Sequence, residues 1–154
     1  MSQEKYCNLI DALCGKLGVP DPEKKYDDCN LEINGVTFTL MHGGDNRPDV
    51  LTLYADYGEA PSHLKEIVYR RLLETAHAMQ GFNAPSFAFN SETGHVIQMA
   101  HLLSSDWKVD PLITTMGNMT KYAQMWRRDF FLTEEERGVT AAGAAPSGVS
   151  GYQQ

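Results

Sequence analysis

The sequence predicts an α+β fold in which three helices pack on an antiparallel sheet, and three observations carry that expectation. Apolar residues recur at helical spacing in three stretches, near the start, the middle and the end of the chain. Runs that read as strands lie between them, three in the first gap and two in the second. The first two runs flank Asn34-Gly35, which supplies the two positive-φ residues of a type I′ turn and so makes those strands a hairpin. The expected order is α-β-β-β-α-β-β-α.

In the first helix, Tyr6, Leu9, Ile10, Leu13 and Leu17 form one stripe from about Glu4 to Leu17. Lys16 sits in its last turn, and Gly18 with Pro20 stops it. A polar connection, 21–28, leads to the hairpin Leu31-Glu32-Ile33 and Val36-Thr37-Phe38-Thr39-Leu40. Residues 42–49 read as a glycine-rich loop punctuated by Pro48. The chain then returns as strand 50–57, with Leu51, Leu53, Ala55 and Tyr57 on one face and Val50, Thr52 and Tyr54 on the other.

The central helix is expected from Pro61 to Gly81, with Ser62 as its N-cap and Gly81 as its left-handed stop. Leu64, Ile67, Val68, Leu72, Leu73, Ala76 and Met79 form its stripe, and Tyr69 widens it. So broad a stripe suits either a core helix or one that covers the sheet with one side and meets a second surface, such as another copy, with the other. Ser86 to Asn90 carries Phe87 and Phe89 on one face, and a turn at 91–94 leads to Val96–Leu103. This last strand is apolar on both faces, which predicts cover on both sides. Asp110-Pro111 reads as the N-cap and first residue of the final helix. Its stripe is Leu112, Met116, Met119, Ala123, Trp126 and Phe130. Residues 1–132 are expected to form one domain. Residues 133–154, an acidic triplet and then an Ala/Gly/Ser-rich stretch, are expected to be a disordered tail.

A chain of 154 residues with 42% apolar and 21% charged content can bury a single core without staples. Its net charge of −7 argues against nucleic acid or an anionic membrane as partner, because an acidic surface cannot release counterions from phosphates. The doublets Arg70-Arg71 and Arg127-Arg128 read as solvated helix faces. Three cysteines, Cys7, Cys14 and Cys29, are an odd number and favour a reducing compartment. With no leading apolar run and no stretch of membrane-spanning length, the protein is expected to stay in the cytoplasm.

Motifs that announce catalysis are missing: no phosphate-binding loop, no G-x-S-x-G, no H-E-x-x-H and no C-x-x-C. His42-Gly43-Gly44 reads as a turn. His95 and His101 share a strand face but stand roughly 20 Å apart, too far to share one metal. His63 and His77, roughly 21 Å apart along the central helix, read as surface residues. No metal or cofactor is expected. A cysteine activated by a histidine brought near in space is the enzymatic alternative to a binding role.

The ordered set of blocks resembles the class I type III secretion chaperones, the CesT/SycE-like (Tir chaperone) family. The blocks are the first helix ending Leu17-Gly18-Val19-Pro20, Leu31 to Met41, Leu51 to Asp56, Phe87 to Gly94, the strand through Gln98-Met99-Ala100, and the final helix with Tyr122 to Trp126. They are apolar patterns rather than signature residues, and they span Tyr6 to Leu132. The resemblance implies a homodimer of five-stranded twisted antiparallel sheets with three helices each. It also implies ATP-independent binding of the N-terminal segment of a secreted effector, held extended; some members bind a regulator of secretion gene expression instead. On that basis Leu9, Leu13, Leu17, Val36, Phe38, Leu40, Leu51 and Leu53 are candidates for the client surface, with plain core as their alternative. Tyr69, Leu72, Leu73 and Phe87 are candidates for the dimer contact.

Overall fold

The computed structural model describes residues 2–79, 85–103, 105 and 107–138. Helix α1 (Ser2–Leu17) is followed by strands β1 (Cys29–Ile33), β2 (Val36–Gly43) and β3 (Arg47–Glu59), helix α2 (Lys65–Ala78), strands β4 (Ser86–Asn90) and β5 (His95–Leu103), and helix α3 (Val109–Asp129). The five strands make one antiparallel sheet in the order β1-β2-β3-β5-β4. This is the α+β arrangement that the periodicities predict.

The β1–β2 turn forms as expected, with Ile33 opposite Val36 and positive φ at Asn34 (48°) and Gly35 (82°). The second hairpin is tighter than the sequence suggests. Instead of an eight-residue loop, the ladder closes at Gly43 opposite Arg47. A Cβ at Gly43 would collide with the Arg47 carbonyl, so only glycine lets the two backbones approach this closely. Between Asp56 and Gly58 the β3–β5 register shifts, and Tyr57 is the extra residue of a bulge. Arg127 of α3 fastens this corner by donating to the carbonyls of Gly35 (2.8 Å), Asp56 (2.9 Å) and Tyr57 (2.9 Å).

All three helices pack on one face of the sheet. The core joins Tyr6, Leu9, Ile10 and Leu13 of α1, Val68 and Leu72 of α2, and Leu112, Met116, Met119, Ala123 and Trp126 of α3 to the inward strand residues Leu31, Val36, Phe38, Leu40, Leu51, Leu53, Ala55, Tyr57 and Val96. Within it the Tyr57 hydroxyl donates to Gln98 Oε1 at 2.6 Å, whereas the Trp126 indole N–H is buried without a partner. Burial pushes the Tyr57 hydroxyl well above the usual tyrosine range, so it keeps its proton.

Two helix starts differ from the expectation. Ser62–Leu64 is a single 3-10 turn, and α2 begins at Lys65 without a side-chain cap. Helix α3 starts at Val109, which puts Pro111 inside the first turn, where its missing N–H costs nothing. Asp110 caps nothing and faces Lys16 of α1 at 3.6 Å. The stop expected at Gly81 lies outside the described residues.

Beyond α3 the structure describes residues 130–138, and the rest of the tail expected from residue 133 lies outside the described residues. Phe130 (φ 55°) and Phe131 (φ 58°) turn the chain back through left-handed backbone, at a cost of about 1–2 kcal/mol each. Leu132 is buried in the core, and residues 133–138 continue in turn conformation, with Glu136 paired to Arg71 of α2. The composition argument rested on the Ala/Gly/Ser stretch further on, which lies outside the described residues.

Candidate partner-binding site

Each strand with an inward face also has an outward one, and no helix among the described residues covers the outward face. Pairing places Met41, Thr52 and His101 side by side there, with Thr39, Tyr54 and Met99 in the next row and Val50 opposite Leu103. Met41 and Leu103 are more than half exposed, at 54% and 52%, and Tyr54, Ile97 and Met99 are half-buried. The cover predicted for both faces of β5 is therefore absent on this side of the described chain. An antiparallel sheet can leave one face to solvent, but here that face carries long apolar side chains.

A second apolar surface lies at the β4 edge, the open end of the sheet. Leu73 of α2 is 72% exposed, the most exposed large apolar side chain in the chain's described part. One turn earlier on the same helix face, Tyr69 meets Phe89 of β4 edge-on, with ring centroids 5.7 Å apart. Phe89 is itself 52% exposed, and Met79 at the helix end is 38% exposed. The Tyr69 hydroxyl is buried without a hydrogen-bond partner. On the same helix Glu66 pairs with Arg70 and Arg71 with Glu74, and Arg71 also reaches Glu136 beyond α3.

The other sheet edge is protected differently. Lys25 donates to the Asn30 carbonyl on β1 at 2.9 Å, and the single turn Pro22–Lys25 lies beside it. A lysine on an edge strand discourages pairing with another chain. No comparable group occupies the β4 edge among the described residues.

Of the four candidates for a dimer contact, Leu73 is exposed, Tyr69 and Phe87 are half-buried, and Leu72 is in the core. Phe87 packs edge-on against Tyr57, at 5.7 Å between centroids. Of the eight candidates for a client surface, Leu9, Leu13, Val36, Phe38, Leu40, Leu51 and Leu53 are all buried, five of them at zero exposure, and only Leu17 is half-buried. As the chain stands, those seven side chains have no surface to offer a ligand. The alternation that picked them identifies the inward face, and a helix layer covers that face. Phe89, Met41 and Leu103, the residues that are exposed, belong to the same alternating runs; what sets them apart is their place at an edge or on the open face.

Of the groups that an enzymatic reading would need, three histidines and two cysteines are engaged in packing or pairing. His42 stacks on Tyr6 (5.3 Å) and meets Trp107 edge-on (5.5 Å), while its Nε2 lies 2.9 Å from the Pro48 carbonyl. His95 faces Asp56 at 2.9 Å and His101 faces Thr52 at 3.0 Å. Cys14 and Cys29 are buried. Burial, reinforced by nearby Cys14, pushes the Cys29 thiol up to about 11. A nucleophilic cysteine needs the opposite shift. Among the described residues no group of three His, Cys, Asp or Glu side chains is placed to hold a metal ion. No helix among them is long and apolar enough to cross a membrane.

Two solved structures share this architecture. A chain of the ExsC–ExsE complex matches with a TM-score of 0.64 at 21% identity, over 83% of this chain and 95% of that one. A chain of the HopA1–SchA chaperone–effector complex matches with a TM-score of 0.64 at 22% identity, over 83% of this chain and 97% of that one. At such identities the likeness is one of fold. No protein-family model and no curated protein matches the sequence. The chain thus has a fold found in a chaperone–effector complex, with apolar surface open at one sheet edge and on one sheet face.

Proposed function

We propose that the protein is a type III secretion chaperone of the class I kind, acting as a cytoplasmic homodimer without ATP or any other cofactor. Its client is the N-terminal segment of a secreted effector, which it keeps extended. The observation that carries this reading is the pair of apolar surfaces, Leu73 with Tyr69 and Phe89 at the β4 edge, and Met41 with Met99 and Leu103 on the open sheet face. Fold likeness to a chain of a chaperone–effector complex supports it. Two surfaces suit two tasks. The edge patch presents one helix and one short strand, a compact shape that a second copy can match about a twofold axis. The open face runs along several strands, and an extended segment can lay alternate side chains onto it. Ordering such a segment costs roughly 2–5 kcal/mol, so spread contacts serve it better than a single anchor.

The experiment is a pull-down of the tagged chain from lysate of its source cells, with Met41→Asp, Leu103→Asp and Leu73→Asp variants alongside. A secreted protein held through its N-terminal region, and lost in the Met41 and Leu103 variants, is the expected outcome. Recovery of a cytosolic regulator of secretion gene expression in its place transfers the function to regulation. A secreted protein recovered equally by all variants refutes the assignment of the open face.

A further inference from the structure

The turn that follows α3 has the features of a ligand seated in a site. Arg71 of α2 donates through Nη1 to the Phe131 carbonyl (2.7 Å) and through Nη2 to Glu136 Oε2 (2.6 Å). The other Glu136 oxygen accepts from the Thr133 amide (3.0 Å), and the Glu136 amide donates back to Thr133 Oγ1 (3.1 Å). Between these two polar anchors, Leu132 inserts into the core at 5% exposure. The guanidinium fork thus reads one backbone carbonyl and one carboxylate, and the apolar residue beside them fills a pocket. Nothing in that recognition requires the segment to belong to the same chain.

The way the segment is attached also makes it separable. It joins no strand, and its polar hold on α2 converges on the single Arg71 side chain. Its hinge is the pair Phe130-Phe131, two non-glycine residues held in left-handed backbone, which detachment would relax. Other charges near the clasp are Glu74, 3.7 Å from Arg71 on the same helix, and Arg137, next in sequence after Glu136, whose Nε is buried without a partner.

We propose that the flank of α2 around Arg71 is a peptide-docking site held closed by the chain's own residues 131–136. The partner it fits is a protein segment in turn conformation that carries an apolar residue and, four positions later, a carboxylate, the spacing of Leu132 and Glu136. The proposal stands apart from the chaperone reading, since its test contains no secreted protein.

A fluorescein-labelled peptide of residues 129–138 serves as probe, with a second peptide carrying Gln at the place of Glu136 as control. Binding is read by fluorescence anisotropy on the full chain. The built-in segment competes at an effective concentration on the order of millimolar, so the wild-type chain should bind the probe weakly. Glu136→Gln in the chain should tighten binding about tenfold or more, and adding Arg71→Met should abolish the gain. On the wild-type chain, saturating probe should speed amide hydrogen exchange at Leu132 and Glu136 while α3 keeps its protection. Equal affinity in wild type and Glu136→Gln, binding indifferent to Arg71→Met, or binding of the control peptide as tight as the probe overturns the proposal. Unchanged exchange at saturation does so as well, without relying on any variant.

Discussion

Leu72 and Leu73 are neighbours in sequence, yet the structure gives them opposite fates when either is changed to aspartate. Leu72 is 4% exposed and packs in the core, so its replacement leaves a carboxylate buried without a partner and removes a full leucine contact. The expected loss is about 4 kcal/mol or more, a large share of the 5–15 kcal/mol that holds a typical domain together. Leu73 is 72% exposed, and in an isolated copy its replacement should move stability by no more than about 0.5 kcal/mol. If Leu73 is covered by a second copy, each copy loses roughly 1.5–3 kcal/mol of burial when it becomes aspartate. Two copies lose about 3–6 kcal/mol together, which weakens association by roughly 10² to 10⁴-fold. Sedimentation equilibrium across a wide concentration range gives the dimer constant, and urea titration gives the stability. The expected result is a folded, monomeric Leu73→Asp beside an unfolded or strongly destabilised Leu72→Asp. A Leu73→Asp chain that dimerises as tightly as wild type would refute the placement of the interface at this edge.

Three further outcomes are expected. Gly43→Ala, forced against the Arg47 carbonyl, should destabilise the chain by about 1–3 kcal/mol in a urea titration, whereas Gly117→Ala, with open space on α3, should be neutral or stabilising. Burial alone would raise the Glu136 carboxyl, but the Thr133 amide, the Arg71 charge and the hydrogen bonds from both residues outweigh it and hold the group below its ordinary 4.5. A depressed carboxyl adds stability above its unfolded value, and that stability is lost as pH falls through the folded value. Amide protection at Leu132 should therefore be constant from pH 7 to about 5 and decline below about 4.5, and in Glu136→Gln the decline should be absent. Alkylation at pH 8 followed by mass spectrometry should modify half-buried Cys7 first, while Cys29, with its thiol raised to about 11, reacts only on unfolding.

Local sequence chemistry made most of the framework legible. Asn34-Gly35 demands positive φ at two successive residues, so one turn type and one register follow, and Ile33 stands opposite Val36. The stripe from Leu112 to Phe130 has one spacing, and every member but Phe130, half-buried just past the helix, is buried. What failed to read correctly was set by distant partners. Pro111 looks like a first helical residue because proline suits that place, yet Val109 and Asp110 join the helix ahead of it, and Asp110 faces Lys16 instead of capping. Arg127, which reads as half of a solvated doublet, spans three carbonyls of the β1–β2 turn and the β3 bulge, residues 70 to 92 positions away.

The same distinction explains why the exposed apolar surfaces were harder to read than the fold. Alternation separates the two faces of a strand but does not say which strand ends at an edge, or which face the helices choose. Phe87 and Phe89 share one face two residues apart, yet Phe87 lies against Tyr57 while Phe89 stays half open beside Tyr69. The difference arises because β5, last but one in the sheet and last in sequence, inserts between β3 and β4 and leaves β4 outermost. Apolar residues left open by that insertion cannot be repacked inward without breaking the ladder that positions them. Their exposure is thus a property of the topology. With Lys25 beside the opposite edge and nothing comparable among the described residues on this one, β4 is the edge that the topology leaves open.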